Sequence, residues 1–216
     1  MGDMPVDGYC ERTGPEFWSE PVNALTNLAF LVAAFFAYRY VVRRGAPRCV
    51  GALVVLLVAI GLGSFVFHTV ATRWAAVFDT APIIAFMLTY VVIFPRLFLG
   101  LRWRWAWLGA PLFVAFAALT GLVVRLGGAY FPALLGMVAL AVITAVRRER
   151  RYALWFAGTA GLFAVSLTLR TVDSRVCAAF PLGTHFAWHV LNAAVLYLLI
   201  RVAADRAAEN RFATPG

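Results

Sequence analysis

The feature that most constrains this chain is a series of long apolar runs with few charges. Seven stretches of about 17–22 residues, the length needed to cross a hydrocarbon core, fall at 22–42, 50–70, 75–94, 105–124, 128–146, 152–169 and 183–203. None shows the period-two alternation of a strand barrel. The sequence therefore predicts an all-α fold, a bundle of seven transmembrane helices forming a single membrane domain over residues 1–216. Residues 1–21 read as an acidic extramembrane segment, 22–203 as the helices and 204–216 as a tail. Only 13% of the residues are charged, against about 25% in soluble domains, which leaves no room for a soluble module. No cleavable signal is expected, because the first run follows an acidic, tryptophan-containing segment instead of a basic one.

The formal net charge is +9. Its distribution argues against a nucleic-acid partner. All 19 basic residues are arginine. Fourteen cluster on one side: Arg39, Arg43, Arg44 and Arg48, then Arg96, Arg102 and Arg104, then Arg147, Arg148, Arg150 and Arg151, then Arg201, Arg206 and Arg211. Arg12, Arg73, Arg125, Arg170 and Arg175 fall on the other. The positive-inside rule then puts the N-terminus outside and the C-terminus in the cytoplasm. On this reading the arginines set topology and meet anionic headgroups. No obligate protein partner is evident. Cys10 and Cys177 lie on the outer side, where a disulfide persists; from the residues alone, a bridge and two free thiols are equally compatible. Cys49 lies near the cytoplasmic end of the second run.

Ionisable groups inside a bilayer are costly and need a reason. Here they converge. His68 lies near the outer end of the second run, with Ser64 four residues earlier on the same helical face. Asp79 lies near the outer start of the third run. His185 and His189 open the seventh at a spacing that lets one helix supply two metal ligands. All three histidines of the chain thus share one depth with an acid and a serine. Three neutral imidazoles with an open fourth position are the composition of a catalytic zinc site. The plainer alternatives are that Asp79 pairs with Arg73, that Ser64 bonds back to its own helix, and that single histidines merely pack. Asn23, Thr26 and Asn27 form a second polar row, best read as hydrogen bonding between helices. The preceding stretch, Asp7 to Glu20, carries four acids and is rich in turn residues. It suits either a solvated tail or oxygen ligands for calcium, with Phe17 and Trp18 as an interfacial anchor.

These residues together resemble the alkaline ceramidase family, within a wider superfamily of seven-helix membrane proteins that includes adiponectin-type receptors. The family pattern is Ser-x-x-x-His on the second helix, an aspartate eleven residues later and His-x-x-x-His on the seventh. Ser64, His68, Asp79, His185 and His189 match it. Cys10-Glu11 followed by Glu20, Asn23 and Asn27 also resembles the family, and the resemblance covers about residues 9 to 197. It implies zinc on His68, His185 and His189, calcium on Asp7, Glu11 and Glu20, and a Cys10–Cys177 bridge. Two departures stand out. The stretch from Glu11 to Glu20 is shorter than in the family, and the acid usually next to the cysteine is replaced by Gly8-Tyr9, displacing Asp7.

The chemistry implied is hydrolysis of the amide of a ceramide-like lipid to a fatty acid and a sphingoid base. Zinc acidifies a water to near neutral pKa. Asp79 takes the proton and returns it to the leaving amine, and Ser64 orients the water or the oxyanion. The lipid enters laterally from the outer leaflet into an active site on the outer, periplasmic or luminal side. The alternative is a lipid-sensing receptor of the same superfamily, with structural zinc and little turnover. A heme protein fits poorly with three histidines. A retinal protein is excluded, since its Schiff base needs a lysine.

Overall fold

The computed structural model describes residues 4–123 and 130–213. Arg125, and the margins of the expected runs near 124 and 128, lie outside the described residues. In chain order the helices are α1 (Pro21–Thr26), α2 (Leu28–Arg44), α3 (Arg48–Val70), α4 (Arg73–Phe98), α5 (Trp103–Ala106), α6 (Gly109–Val123), α7 (Phe131–Val146), α8 (Arg150–Val176) and α9 (His185–Ala213). α1 and α2 form one rod, Pro21–Arg44, and α5 and α6 another, Trp103–Leu122. The described residues thus build a seven-rod helical membrane bundle whose only strand-like pairing is an isolated bridge, Pro5 to Thr72. Six rods are long and apolar enough to span a bilayer, and α7, with 16 residues, is the shorter seventh.

Two helices outrun the apolar runs that announced them. α8 continues past residue 169 to Val176 and carries Arg170, Asp173 and Arg175. α9 continues to Ala213, so the expected tail is helical as far as it is described. Both extensions are sustained by polar partners that a hydropathy reading does not see. Asp173 is buried among backbone N–H donors. Beyond residue 203, Ala204, Ala207 and Ala208 are buried while Asp205, Arg206 and Glu209 form ion pairs.

α3 packs along α4, α7 along α8, and α9 touches α2, α3, α4 and α8. Burying apolar surface gives little drive between helices in lipid, so close backbone approach and polar contacts must hold them. α4 achieves close approach in the same way twice. Proline has no N–H for the carbonyl four residues earlier, so Pro82 and Pro95 free the carbonyls of Phe78 and Val91. The Phe78 oxygen lies against Gly63 of α3 and the Val91 oxygen against Gly109 of α6, so close that any side chain at either glycine would collide. The first contact involves the immediate chain neighbours of Ser64 and Asp79.

The N-terminal segment is not a loose tail. The Val6 N–H donates to the Ala71 carbonyl at 2.8 Å and the Arg73 N–H to Met4 at 3.2 Å. A Cys10–Cys177 disulfide ties the segment to the end of α8. It crosses the bundle end where α3 turns into α4.

A candidate metal centre at one end of the bundle

The last turns of α3 present His68 and, one turn earlier, Ser64. Ala71 then adopts a left-handed conformation, φ +45°, which reverses the chain within two residues so that the first turns of α4 bring Asp79 back alongside. α9 begins at His185, and one turn later His189 lies on the same face. The three imidazoles are 1–2% exposed. Their ring centroids lie 4.6–5.1 Å apart, and one nitrogen from each falls within 4.8 Å of the others.

The hydrogen bonding of these rings says which nitrogens are available. His68 places Nδ1 2.6 Å from a Glu20 carboxylate oxygen. His189 places Nδ1 2.9 Å from the Thr26 hydroxyl. That hydroxyl already donates to the carbonyls of Val22 and Asn23, so its oxygen is left to accept from the ring. Both rings therefore carry the proton on Nδ1 and turn a bare Nε2 inward. His68 Nε2, His189 Nε2 and His185 Nδ1 are buried without a hydrogen-bond partner. Three orphaned imidazole nitrogens on rings close enough to share an ion fit a zinc-type metal, which favours nitrogen ligands. A carboxylate or hydroxyl behind each of two ligands is the usual arrangement that fixes tautomer and ring angle.

Asp79 is partly buried and shares the wall of one chamber with Ser64. Among the described residues no ion pair joins Asp79 to Arg73, which is exposed. Tyr9, Ser64, Asp79, Arg170, His185 and His189 line a small polar chamber. Ile83, Tyr130 and Asn192 line both this chamber and an apolar cleft of about 330 Å³ between α4, α6, α7, α8 and α9.

The expected calcium cradle is not assembled. Glu11 accepts the N–H groups of Val22 and Asn23 at 2.6 and 2.8 Å, capping α1. Asp7 is exposed. Glu20, 1% exposed, is held by Arg12, Asn23 and His68. Among the described residues the histidine triad is the one group of three or more such side chains close enough to share a metal. The asparagine row also differs from expectation: Asn23 bonds Glu20, Asn27 bonds the Asn23 carbonyl, and only Thr26 reaches another helix.

Four residues escaped the sequence reading. Arg12 and Arg170 were assigned to topology, yet Arg12 is buried and Arg170 lies on the chamber wall, 4.7 Å over the Tyr130 ring and 5.8 Å over Trp188. Tyr9 stacks on His185 with centroids 3.6 Å apart. Asp173 accepts N–H groups from Cys10, Thr184 and His185 at 2.6–3.0 Å, which anchors the start of α9 and with it His185. The signal available for Asp173 was its place four residues past the apolar run, where hydropathy stops being informative. Outside the spans, burial pushes the Tyr9 hydroxyl up, so it stays protonated. Burial alone would also raise the Glu20 carboxyl, but hydrogen bonds from His68 and Arg12 and the Arg12 charge outweigh it and hold Glu20 below its usual value.

A family model described as Ceramidase matches residues 9–211. No curated protein matches the chain.

Proposed function

The chain belongs to the Ceramidase family of ceramide-hydrolysing membrane enzymes, and from that premise we propose a zinc-dependent intramembrane amidase that cleaves a ceramide-like lipid to a fatty acid and a sphingoid base. The observation that carries this reading is the set of three buried, unpartnered imidazole nitrogens beside the Ser64–Asp79 pair. His68, His185 and His189 would hold the metal. When bound, zinc supplies Lewis-acid polarisation and an acidified water.

The residues of the chain do the rest. Asp79 accepts a proton from the attacking water and delivers it to the amine as the C–N bond breaks, so the acyl carbon gains the water oxygen. On this reading Ser64 donates to Asp79 at rest. Once Asp79 is protonated it becomes the donor of that pair, and the Ser64 hydroxyl proton turns to the tetrahedral oxyanion. Arg170 puts positive charge on the same wall. The 330 Å³ cleft, at the small end of ligand sites of about 300–1,000 Å³, takes an alkyl chain, and the lipid enters it from the bilayer. By the positive-inside rule the arginine distribution supports a histidine end on the outer, periplasmic or luminal, side and a C-terminus in the cytoplasm.

The test is metal analysis of purified protein together with hydrolysis of a panel of lipid amides. One zinc per chain and release of fatty acid are expected. Zinc without turnover on any amide would favour the receptor-like alternative, and folded protein that takes up no metal would remove the reading. A reporter fused to the C-terminus should report cytoplasm.

A further inference from the structure

Arg12 stands where a bound cation would. Its Nε donates to Glu20, its Nη1 to the Gly14 carbonyl at 2.9 Å and its Nη2 to the His68 carbonyl at 3.0 Å. A carboxylate, a loop carbonyl and a carbonyl in the last turn of a helix are the oxygen set a hard cation gathers. The guanidinium collects all three while its side chain is 4% exposed and that of Glu20 is 1% exposed. The other Glu20 oxygen meets His68 Nδ1. Arg12 therefore grips the His68 residue twice: directly at its backbone, and through Glu20 at its ring.

We infer that Arg12 is the built-in cation of an Arg12–Glu20–His68 relay that positions the metal centre without calcium. The inference rests on reading His68 as a metal ligand. Arginine suits the task because its rigid fork is always charged and satisfies several acceptors at fixed angles. An ionised Glu20 strengthens the His68 Nδ1–H hydrogen bond, which raises the basicity of Nε2 and fixes the ring plane. Without a cation beside it, Glu20 would be a lone buried charge. The segment delivers both charges from adjacent residues: Glu11 caps the start of α1, and Arg12 crosses to the end of α3. Arg12 is a positioning residue, since it does not line the chamber.

The experiment uses full-length protein in detergent, loaded with zinc. The rate of zinc transfer to a chelating dye is followed at fixed pH, with melting temperature measured in parallel. Wild-type zinc retention and hydrolysis should be unchanged by millimolar calcium or by a calcium-selective chelator. Arg12→Ala should release zinc about 10–100-fold faster, the range for losing a group behind a ligand. Arg12→Lys should recover part of the loss, restoring charge but not the fork. Guanidinium ion added to Arg12→Ala at concentrations well below denaturing should slow zinc release, an effect that repair of a generally loosened fold would not produce. Calcium-dependent zinc retention in wild type would overturn the inference, because an external cation would then hold Glu20. So would an Arg12→Ala protein, equally folded, that keeps zinc as long as wild type. If zinc retention tracks Arg12 as expected but no lipid amide is hydrolysed, the relay stands and the amidase reading alone falls.

Discussion

At the histidine end of the bundle, the Arg12, Glu20 and His68 side chains are 4%, 1% and 1% exposed. At the other end, some 30 Å away by the rise of α3, Arg44, Arg151 and Glu209 are 46%, 55% and 43% exposed. Both ends are rich in ion pairs, yet they use charge differently. In the buried end each group has assigned partners and no substitute. In the exposed end the partners are shared: Asp205 meets Arg44 and Arg151, and Glu209 meets Arg151 and Arg206. Removing one partner of a buried pair strands a charge and costs about 3–5 kcal/mol, whereas an exposed pair is worth about 0–1 kcal/mol. Function needs fixed geometry and draws on the first kind. Topology needs only the sign of the charge and tolerates the second.

The largest effects should come from the metal centre. His68→Ala, His185→Ala and His189→Ala are each expected to lose zinc and hydrolysis together, read by metal content and product release. Asp79→Asn keeps the size and much of the polarity, so zinc should stay while turnover falls about 10²–10⁴-fold. If Asp79→Asn lost zinc as the histidine variants do, the separation of holding from proton transfer would fail, and Asp79 would belong among the ligands.

Next come the groups that hold the ligands in place. Asp173→Ala leaves one buried and two part-buried N–H donors without an acceptor and should cost about 2–4 kcal/mol in thermal unfolding. Cys10→Ser should cost about 2–5 kcal/mol by opening a long loop, here one closed across 167 residues. Both should weaken zinc retention through His185, which Asp173 and Tyr9 flank. A Cys10→Ser protein with wild-type stability would show that the strand-like pairing at Val6 and Arg73 suffices to seat the segment.

How much of this was legible in the sequence follows from the same contrast. The bundle was legible because apolar length reports directly on spanning helices. His68, Asp79, His185 and His189 were legible because an ionisable residue in an apolar run is conspicuous. Arg170 and Asp173 were not, because they sit at the end of a run, where a charge ordinarily marks the water boundary. Arg12 was hidden for a different reason. In a segment of acids and glycines it looks like one more solvated charge, and only the packing of that segment across the bundle end brings Glu20 and the His68 carbonyl around it. The calcium expectation rests on acidic oxygens, of which those of Glu11 are taken by a helix N-terminus and one of Glu20 by a guanidinium.

A smaller effect sharpens the comparison within one helix. Gly63→Ala drives a methyl into the Phe78 carbonyl freed by Pro82. Overpacking of this kind costs about 1–3 kcal/mol. It should also lower turnover by separating Ser64 from Asp79. Gly51→Ala, in the same α3 but at the arginine end, meets nothing within 4 Å. It should be neutral or slightly stabilising, since alanine is the better helix former by about 1 kcal/mol. Equal effects at the two positions would mean that helix propensity, not close approach, governs α3.

The smallest effects belong to the exposed network, and there the prediction has internal structure. Glu209→Ala removes ion-pair partners of Arg151 and Arg206, yet Arg151 keeps Asp205 and Arg206 keeps Glu149. It should cost less than about 1 kcal/mol, shrink further at high salt as screening shortens its reach, and leave hydrolysis unchanged. Arg44→Ala should behave alike. Both Glu209 and Asp205 accept a tyrosine hydroxyl at 2.6 Å, from Tyr152 and Tyr40, but Asp205 is the exception because it is only 6% exposed. Asp205→Ala strips Tyr40, Arg44 and Arg151 of one shared acceptor and should cost more than Glu209→Ala and Arg44→Ala together. A double-mutant cycle between Asp205 and Arg44 should give a coupling of about 0.5 kcal/mol or more, since the two are in direct contact. If Glu209→Ala instead cost several kcal/mol, or slowed hydrolysis at the far end, the two ends would be coupled through α9. The exposed network would then be part of what holds His185 and His189 in register.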